Sequence, residues 1–222
     1  MFNHTHPYQL FIPLHATKLI VGTLPPPRFT KGNLKPGDVD FCYGSCDGQL
    51  WKILDELFHL NLKYETTEKA IKQRKDFLID RGIGICDIVE SAKRKKIDAS
   101  DLGLQHVVLR DLVGYLKLFP NVNTLLFTGG NSKNGPEYFF RKHLKDYQLK
   151  LELVSNEIPR IHQFEILSNK NIPRIITTVS LTAPSGSANR AVGSMPLYKQ
   201  LKQKNPELTT LDFRRMQYRE FF

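Results

Sequence analysis

The 222-residue chain is poor in the residues that staple small secreted folds: it has three cysteines, Cys42, Cys46 and Cys86. Three thiols cannot all pair with one another, so a disulfide framework is excluded and reduced cysteines are expected. Cys42 and Cys46 stand four apart with no second pair and no histidine nearby, which is not the paired spacing of a zinc site. No metal is expected. No apolar run approaches the roughly 18 residues that cross a bilayer. The start, MFNHTHPYQLF, lacks the charged head and long apolar core of a signal peptide, so a cytoplasmic protein is expected. Repeats and low-complexity linkers are missing too. At 41% hydrophobic and 24% charged residues, the composition is that of a folded chain, and its length suits a single domain over 1–222.

What the chain has in surplus is positive charge. Lys plus Arg is 32 and Asp plus Glu is 22, a net +10. A domain this basic attracts polyanions, nucleic acid first among them. A membrane surface is the weaker reading, because no basic amphipathic terminal helix stands out.

Hydrophobic patterning alternates strands with helices. Residues 18–22, 83–89, 123–128 and 174–181 read as buried strands, the second breaking near Asp87. Helical spacing runs through 49–60, 67–80, 104–118 and 136–147, and helices are expected at 194–204 and 209–220. Residues 149–154 and 161–167 read as strands of a less regular insert. This order predicts an α/β fold with a mostly parallel central sheet covered by helices. Ligands in such sheets bind beyond the carboxyl ends of the strands. Those ends are 22–28, 86–89, 128–132 and 182–190.

Each end carries unusual residues. After Gly22, Thr23 and Leu24 come Pro25, Pro26 and Pro27, whose fixed φ makes a stiff loop suited either to a ligand or to a tight strand exit. Asp47 or Ser45 stands where an N-cap of the first long helix belongs; the sharper reading of Asp47 is a cleft carboxylate that positions water. Tyr43 offers a ring to stack on a base or to fill the edge of the core. Asp87 interrupts an apolar strand, so it must be hydrogen-bonded or sit at an exposed end. Ser185, Gly186 and Ser187 offer hydroxyls and backbone N–H groups to a phosphate, and Arg190 adds charge. The run Lys93–Lys96 reads as solvated surface or as a track for a DNA backbone. The histidines show no ligand spacing, and His4 and His6 suit only adventitious chelation near a mobile terminus.

Four stretches, HPYQLFIP…ATKLIVGTLPPP, DFCYGS…LW, FLIDRGIGICDIVESAKRKKIDAS and VNTLLFTGG, and the later loop APSGSANRA occur in an order and spacing that resembles the uracil-DNA glycosylase superfamily. The resemblance covers roughly residues 6–195, is most specific in the middle stretch, and is nearest the hypoxanthine-DNA glycosylase-like branch. It implies a three-layer α/β/α sandwich on a four-stranded, mostly parallel sheet. It also implies an enzyme that flips a damaged or deaminated base from DNA and hydrolyses its N-glycosidic bond, as a monomer and without a cofactor. By position, Gly22, Thr23, Leu24 and Pro25 resemble the water-activating loop that meets the base. Tyr43 resembles the stacking wall and Asp87 the reader of the base edge. Ser185, Gly186, Ser187, Asn189 and Arg190 resemble the loop that pinches phosphate and wedges the duplex.

Three departures stand against direct carry-over. Several branches place Asn or Asp in the first loop where Leu24 stands. The nearest branch has a catalytic Asn shortly before the helical Trp; counted back from Trp51 that place is Gly48, with Asp47 beside it. The last loop has Ala183 near the place of the superfamily's His. Asp47 is therefore the substitute catalytic candidate. A catalytically silent DNA or modified-base binder is the alternative from another class, and a nucleoside hydrolase-like enzyme is a third.

Overall fold

The computed structural model describes residues 1–168 and 171–222. Its main sheet has six strands: β2 (Lys18–Gly22), β3 (Ile83–Asp87), β6 (Thr124–Phe127), β7 (Glu152–Ser155), β8 (Arg160–Leu167) and β9 (Pro173–Ser180), in the order β3-β2-β6-β9-β8-β7. The first four in that order run parallel, and β8 and β7 add an antiparallel pair at one edge. A separate antiparallel sheet joins β1 (Phe2–Thr5), β4 (Val89–Arg94) and β5 (Gln105–Leu109) in the order β1-β4-β5. The helices are α1 (Pro27–Thr30), α2 (Leu50–Phe58), α3 (Glu68–Asp80), α4 (Leu112–Leu118), α5 (Pro136–Asp146), α6 (Asn189–Ser194), α7 (Pro196–Lys204) and α8 (Thr210–Arg219).

The parallel strands are apolar on both faces because both faces are covered. Leu19, Val21, Leu125 and Phe127 point into a cluster with Leu112 and Leu116 of α4 and Phe140 and Leu144 of α5. Ile20, Ile85 and Leu126 point the other way, onto Trp51, Ile53 and Leu54 of α2, Leu78 of α3 and Tyr218 of α8. Helix α3 starts at Thr67, whose side chain accepts from Ala70 N–H, and α8 starts with a reciprocal Thr209–Asp212 capping box.

Several expectations are corrected. Residues 104–118 do not form one helix. Gln105, Val107 and Leu109 are half-buried while His106 and Val108 are exposed, a two-residue period that makes β5; Asp111 then caps α4 through Gly114 N–H. The run Lys93–Lys96 is not a continuous surface, because Arg94 is buried and its Nε donates to His4 Nδ1 at 2.8 Å. His4 and His6 are not on a loose terminus; both are buried. Helix α2 begins at Leu50 after Gln49, so neither Ser45 nor Asp47 caps it. The residues before it form a turn, with Gly48 N–H donating to Ser45 O at 2.9 Å, and α2 has no side-chain cap.

Phe140 is fully buried, with its ring 5.2 Å from that of Phe127 and 5.4 Å from that of Phe164. Phe140→Ala is expected to cost about 3–5 kcal/mol, read as a lower urea midpoint at an unchanged slope.

Candidate functional site

Strand order reverses direction between β2 and β6, and a crevice forms beyond their carboxyl ends, as expected at such a switch point. Parallel register sets Gly22 opposite Asp87 and Val21 opposite both Cys86 and Phe127. Three strand ends therefore deliver Gly22, Asp87 and Thr128 to one place. Gly22 has no room for a side chain: a Cβ there would lie 2.0 Å from the Tyr43 hydroxyl and 2.4 Å from Asp87 Oδ1. The missing Cβ is what lets those two oxygens close over the end of β2. Tyr43, held at a left-handed φ of 57°, shares a 2.9 Å hydrogen bond with Thr128 Oγ1. Burial, then the nearby Asp87, push its phenol well above the ordinary range.

The crevice measures about 860 Å³, inside the range of about 300–1,000 Å³ typical of small-molecule sites. Most of the sequence candidates line it. Thr23, Leu24 and Pro25 come from the loop after β2, and Tyr43 and Asp47 from the segment before α2. Asp87 comes from β3, and Ser185, Gly186 and Ser187 from the loop after β9. The segment before α2 and the loop after β9 meet directly: Gln49 N–H donates to Pro184 O at 2.9 Å, and Gly48 bridges Ser185. Gly22 sits behind the lining. Asn189 and Arg190 lie outside it. The Asn189 side-chain oxygen accepts from Arg214 Nη1 at 2.9 Å and from Thr210 Oγ1 at 3.0 Å, and Arg190 is exposed. A second hollow, about 340 Å³ between Leu60, Phe58, Asp76 and Arg81, lies away from all of these.

Asp47 is an exposed rim carboxylate, 3.2 Å from Arg28 Nη2 and 3.6 Å from Lys35 Nζ. Arg28 is itself fixed by a two-pronged contact to buried Asp38, at 2.7 and 2.8 Å. Burial pushes the Asp38 carboxyl up, but the Arg28 guanidinium and the N–H groups of Cys46 and Lys35 outweigh it and hold it well below the usual range. Asp87 Oδ2 lies 2.9 Å from Nε2 of His6, whose Nδ1 meets the backbone of Tyr8.

Sequence reasoning missed several residues here. Lys133, one residue past the expected strand end 128–132, lies at the rim beside Ser132. Arg214 of α8 is fully buried and has no acidic partner among the described residues; it donates to the carbonyls of Ala183 and Ser185 and to the side chains of Gln49 and Asn189, and so locks the last loop to the turn before α2. Asp101 also lines the wall. Its backbone carbonyl accepts from Asn134 at 2.9 Å. Burial pushes its carboxyl up to about 7; Arg94 and Thr23 oppose the rise and Asp87 adds to it. A short pattern, Ser100-Asp101 closing a polar loop, was the only sequence signal for it. Among the described residues no group of His, Cys, Asp and Glu is arranged to hold a metal, all three cysteines are free thiols, and no helix is long and apolar enough to cross a membrane.

Comparison with protein-family models, with curated proteins and with solved structures finds no match to this chain. The resemblance to the glycosylase superfamily therefore rests on the quoted motifs alone.

Gly22→Ala is expected to cost about 1–3 kcal/mol by overpacking. The Tyr43→Phe background recovers part of it by removing the nearest atom, so a double-mutant cycle reads a non-zero coupling; strict additivity contradicts the packing. Asp101 binds a proton more tightly in the fold than in the unfolded chain. The stability tied to it is fully present below its ordinary value of 3.8 and is lost as pH rises through about 7. Asp101→Asn cannot ionise, so its denaturation midpoint gains on the parent's as pH rises across that window; a gap constant with pH contradicts the shift.

Proposed function

We propose that the protein is a DNA base-excision glycosylase-like hydrolase that turns a damaged or deaminated base out of DNA into this crevice and hydrolyses its N-glycosidic bond. The observation that carries the reading is convergence: the loop after β2, the turn before α2, the end of β3, and the loops after β6 and β9 meet in one cavity of nucleobase-binding scale, in a chain of net charge +10. The three-layer architecture on four parallel strands belongs to the same proposal. It is supported by the β3-β2-β6-β9 run and the helices on its two faces, with β7 and β8 as an edge addition.

Everting a base costs a few kcal/mol, least for one that is damaged or mispaired. Cleavage builds positive charge on the sugar and negative charge on the departing base. In the proposed division of labour, the Tyr43 ring forms a wall for the base and Asp87, backed by His6, meets its edge. Asp47 orients water at the rim and balances charge on the sugar. Lys133 and the Ser185–Ser187 turn meet phosphates, and Arg190 extends that surface. The substrate is DNA, the protein acts as a monomer, and the reaction invokes neither metal nor organic cofactor.

A silent binder of DNA or of a modified base is the second reading. It is favoured by Leu24, Gly48 and Ala183 at the motif positions and by the two cations already held on Asp47. Oligonucleotides carrying uracil, hypoxanthine, xanthine or mismatched thymine decide between them. Abasic sites that form with the parent and are lost in Asp47→Asn support the enzyme. Binding without abasic product, weakening with a log–log salt slope of about −0.9 per phosphate contacted, supports the silent binder. Base released only from free nucleosides contradicts both.

A further inference from the structure

We propose that Asp101 is the proton donor to the departing base, an inference that rests on the glycosylase reading and assigns a second catalytic carboxyl to the same crevice. The three other carboxyls near the site are differently committed. Asp38 is buried under Arg28. Asp47 stands exposed between Arg28 and Lys35. Asp87 has an oxygen on His6. Asp101 lines the crevice wall together with Thr23, and the charges acting on it are Arg94, which lowers its pKa, and Asp87, which raises it. It is also held in place from both sides. Arg94 of β4 donates to the carbonyl of Ser100, and Asn134, after β6, donates to that of Asp101. The groups facing it are Arg94 from β4, Asp87 from β3, Thr23 from the loop after β2, and Lys133, which shares the crevice wall. Asp98 of its own segment pairs with Arg94 at 3.6 Å.

A carboxyl that is half protonated near neutrality suits general acid work, because the ideal donor has its pKa close to the working pH. Burial pushes Asp101 to that point. The step balances as follows. The C1′–N bond breaks with its electron pair going to the base nitrogen. Asp101 gives its proton to the base. Water forms the new C1′–O bond and loses its proton to Asp47, which passes it to solvent, and Asp101 regains a proton from solvent. The products are the free neutral base and an abasic sugar.

The test is single-turnover base release from the same oligonucleotides against pH, with the parent, Asp101→Asn and Thr23→Val. The parent's rate is expected to be level below about pH 7 and to fall above it. Asp101→Asn is expected to be about 100-fold slower and to lose the falling limb. Thr23→Val is expected to move the limb to higher pH, because the Thr23 hydroxyl lowers the Asp101 carboxyl. A falling limb retained in Asp101→Asn overturns the assignment. A second measurement separates its failure from that of the glycosylase reading. If the parent releases no base, the reading fails, and a carboxyl ¹³C NMR titration of Asp101 with and without free hypoxanthine or uracil decides the inference by itself. A midpoint near neutrality that moves when base is added supports the contact. A midpoint in the ordinary aspartate range, or one unmoved by either base, overturns it.

Discussion

A side chain that is not there sets the shape of the site. With hydrogen in place of a Cβ at Gly22, the Tyr43 hydroxyl and an Asp87 oxygen occupy the space directly over the end of β2. Parallel register supplies the rest, since it brings the ends of β2, β3 and β6 level. Tyr43 then reaches across to Thr128, which fixes the segment leading to α2 over the strand ends. Every wall of the crevice is placed relative to that junction. The loop after β2 leaves from it, Asp87 is part of it, and the turn before α2 carries Asp47 and bridges to Ser185.

Buried and half-buried guanidinium groups hold the outer loops. Arg28 fixes the stretch from Lys35 to Cys46 through Asp38. Arg94 connects β1 to the Asp101 loop through His4 and Ser100. Arg214 ties the loop after β9 to Gln49 and Asn189. Arg28 and Arg94 have acids beside them, Asp38 and Asp98, while Arg214 recovers its lost hydration through hydrogen bonds to carbonyl and amide oxygens. Burial lowers the pKa of both Arg94 and Arg214. The net charge of +10 stays almost wholly at the surface, because the buried Arg74, Arg94, Arg110 and Arg214 are nearly matched by the buried Asp38, Asp87 and Glu137.

The parallel strands were legible because continuous apolar runs such as Leu19–Val21 and Leu125–Phe127 have only one comfortable place in an α/β fold. The crevice was legible for a related reason: strand ends in such sheets are where unusual residues collect, and Tyr43, Asp87 and Ser185–Ser187 did collect there. What escaped were features set by distant pairing. β1 is a strand because it has β4 beside it, and nothing within FNHT announces that. His6 and Asp87 are 81 positions apart, a polar contact that spacing rules cannot see. The first half of 104–118 was ambiguous between periods of two and of 3.6 over so short a stretch, and only the β4 edge decides it. Asp101 is set against the crevice by contacts distant in sequence, from Arg94 to Ser100 and from Asn134 to its own carbonyl.

The central claim is that the crevice takes in an everted base, and fluorescence of 2-aminopurine placed beside a lesion in duplex DNA tests it directly. The account predicts that saturating protein raises the emission as the neighbouring stack opens. It also predicts that Leu24→Trp, which places bulk in the crevice, abolishes the rise while DNA binding persists. Full binding by the parent with unchanged emission, or an equal rise when the crevice is filled, would contradict it.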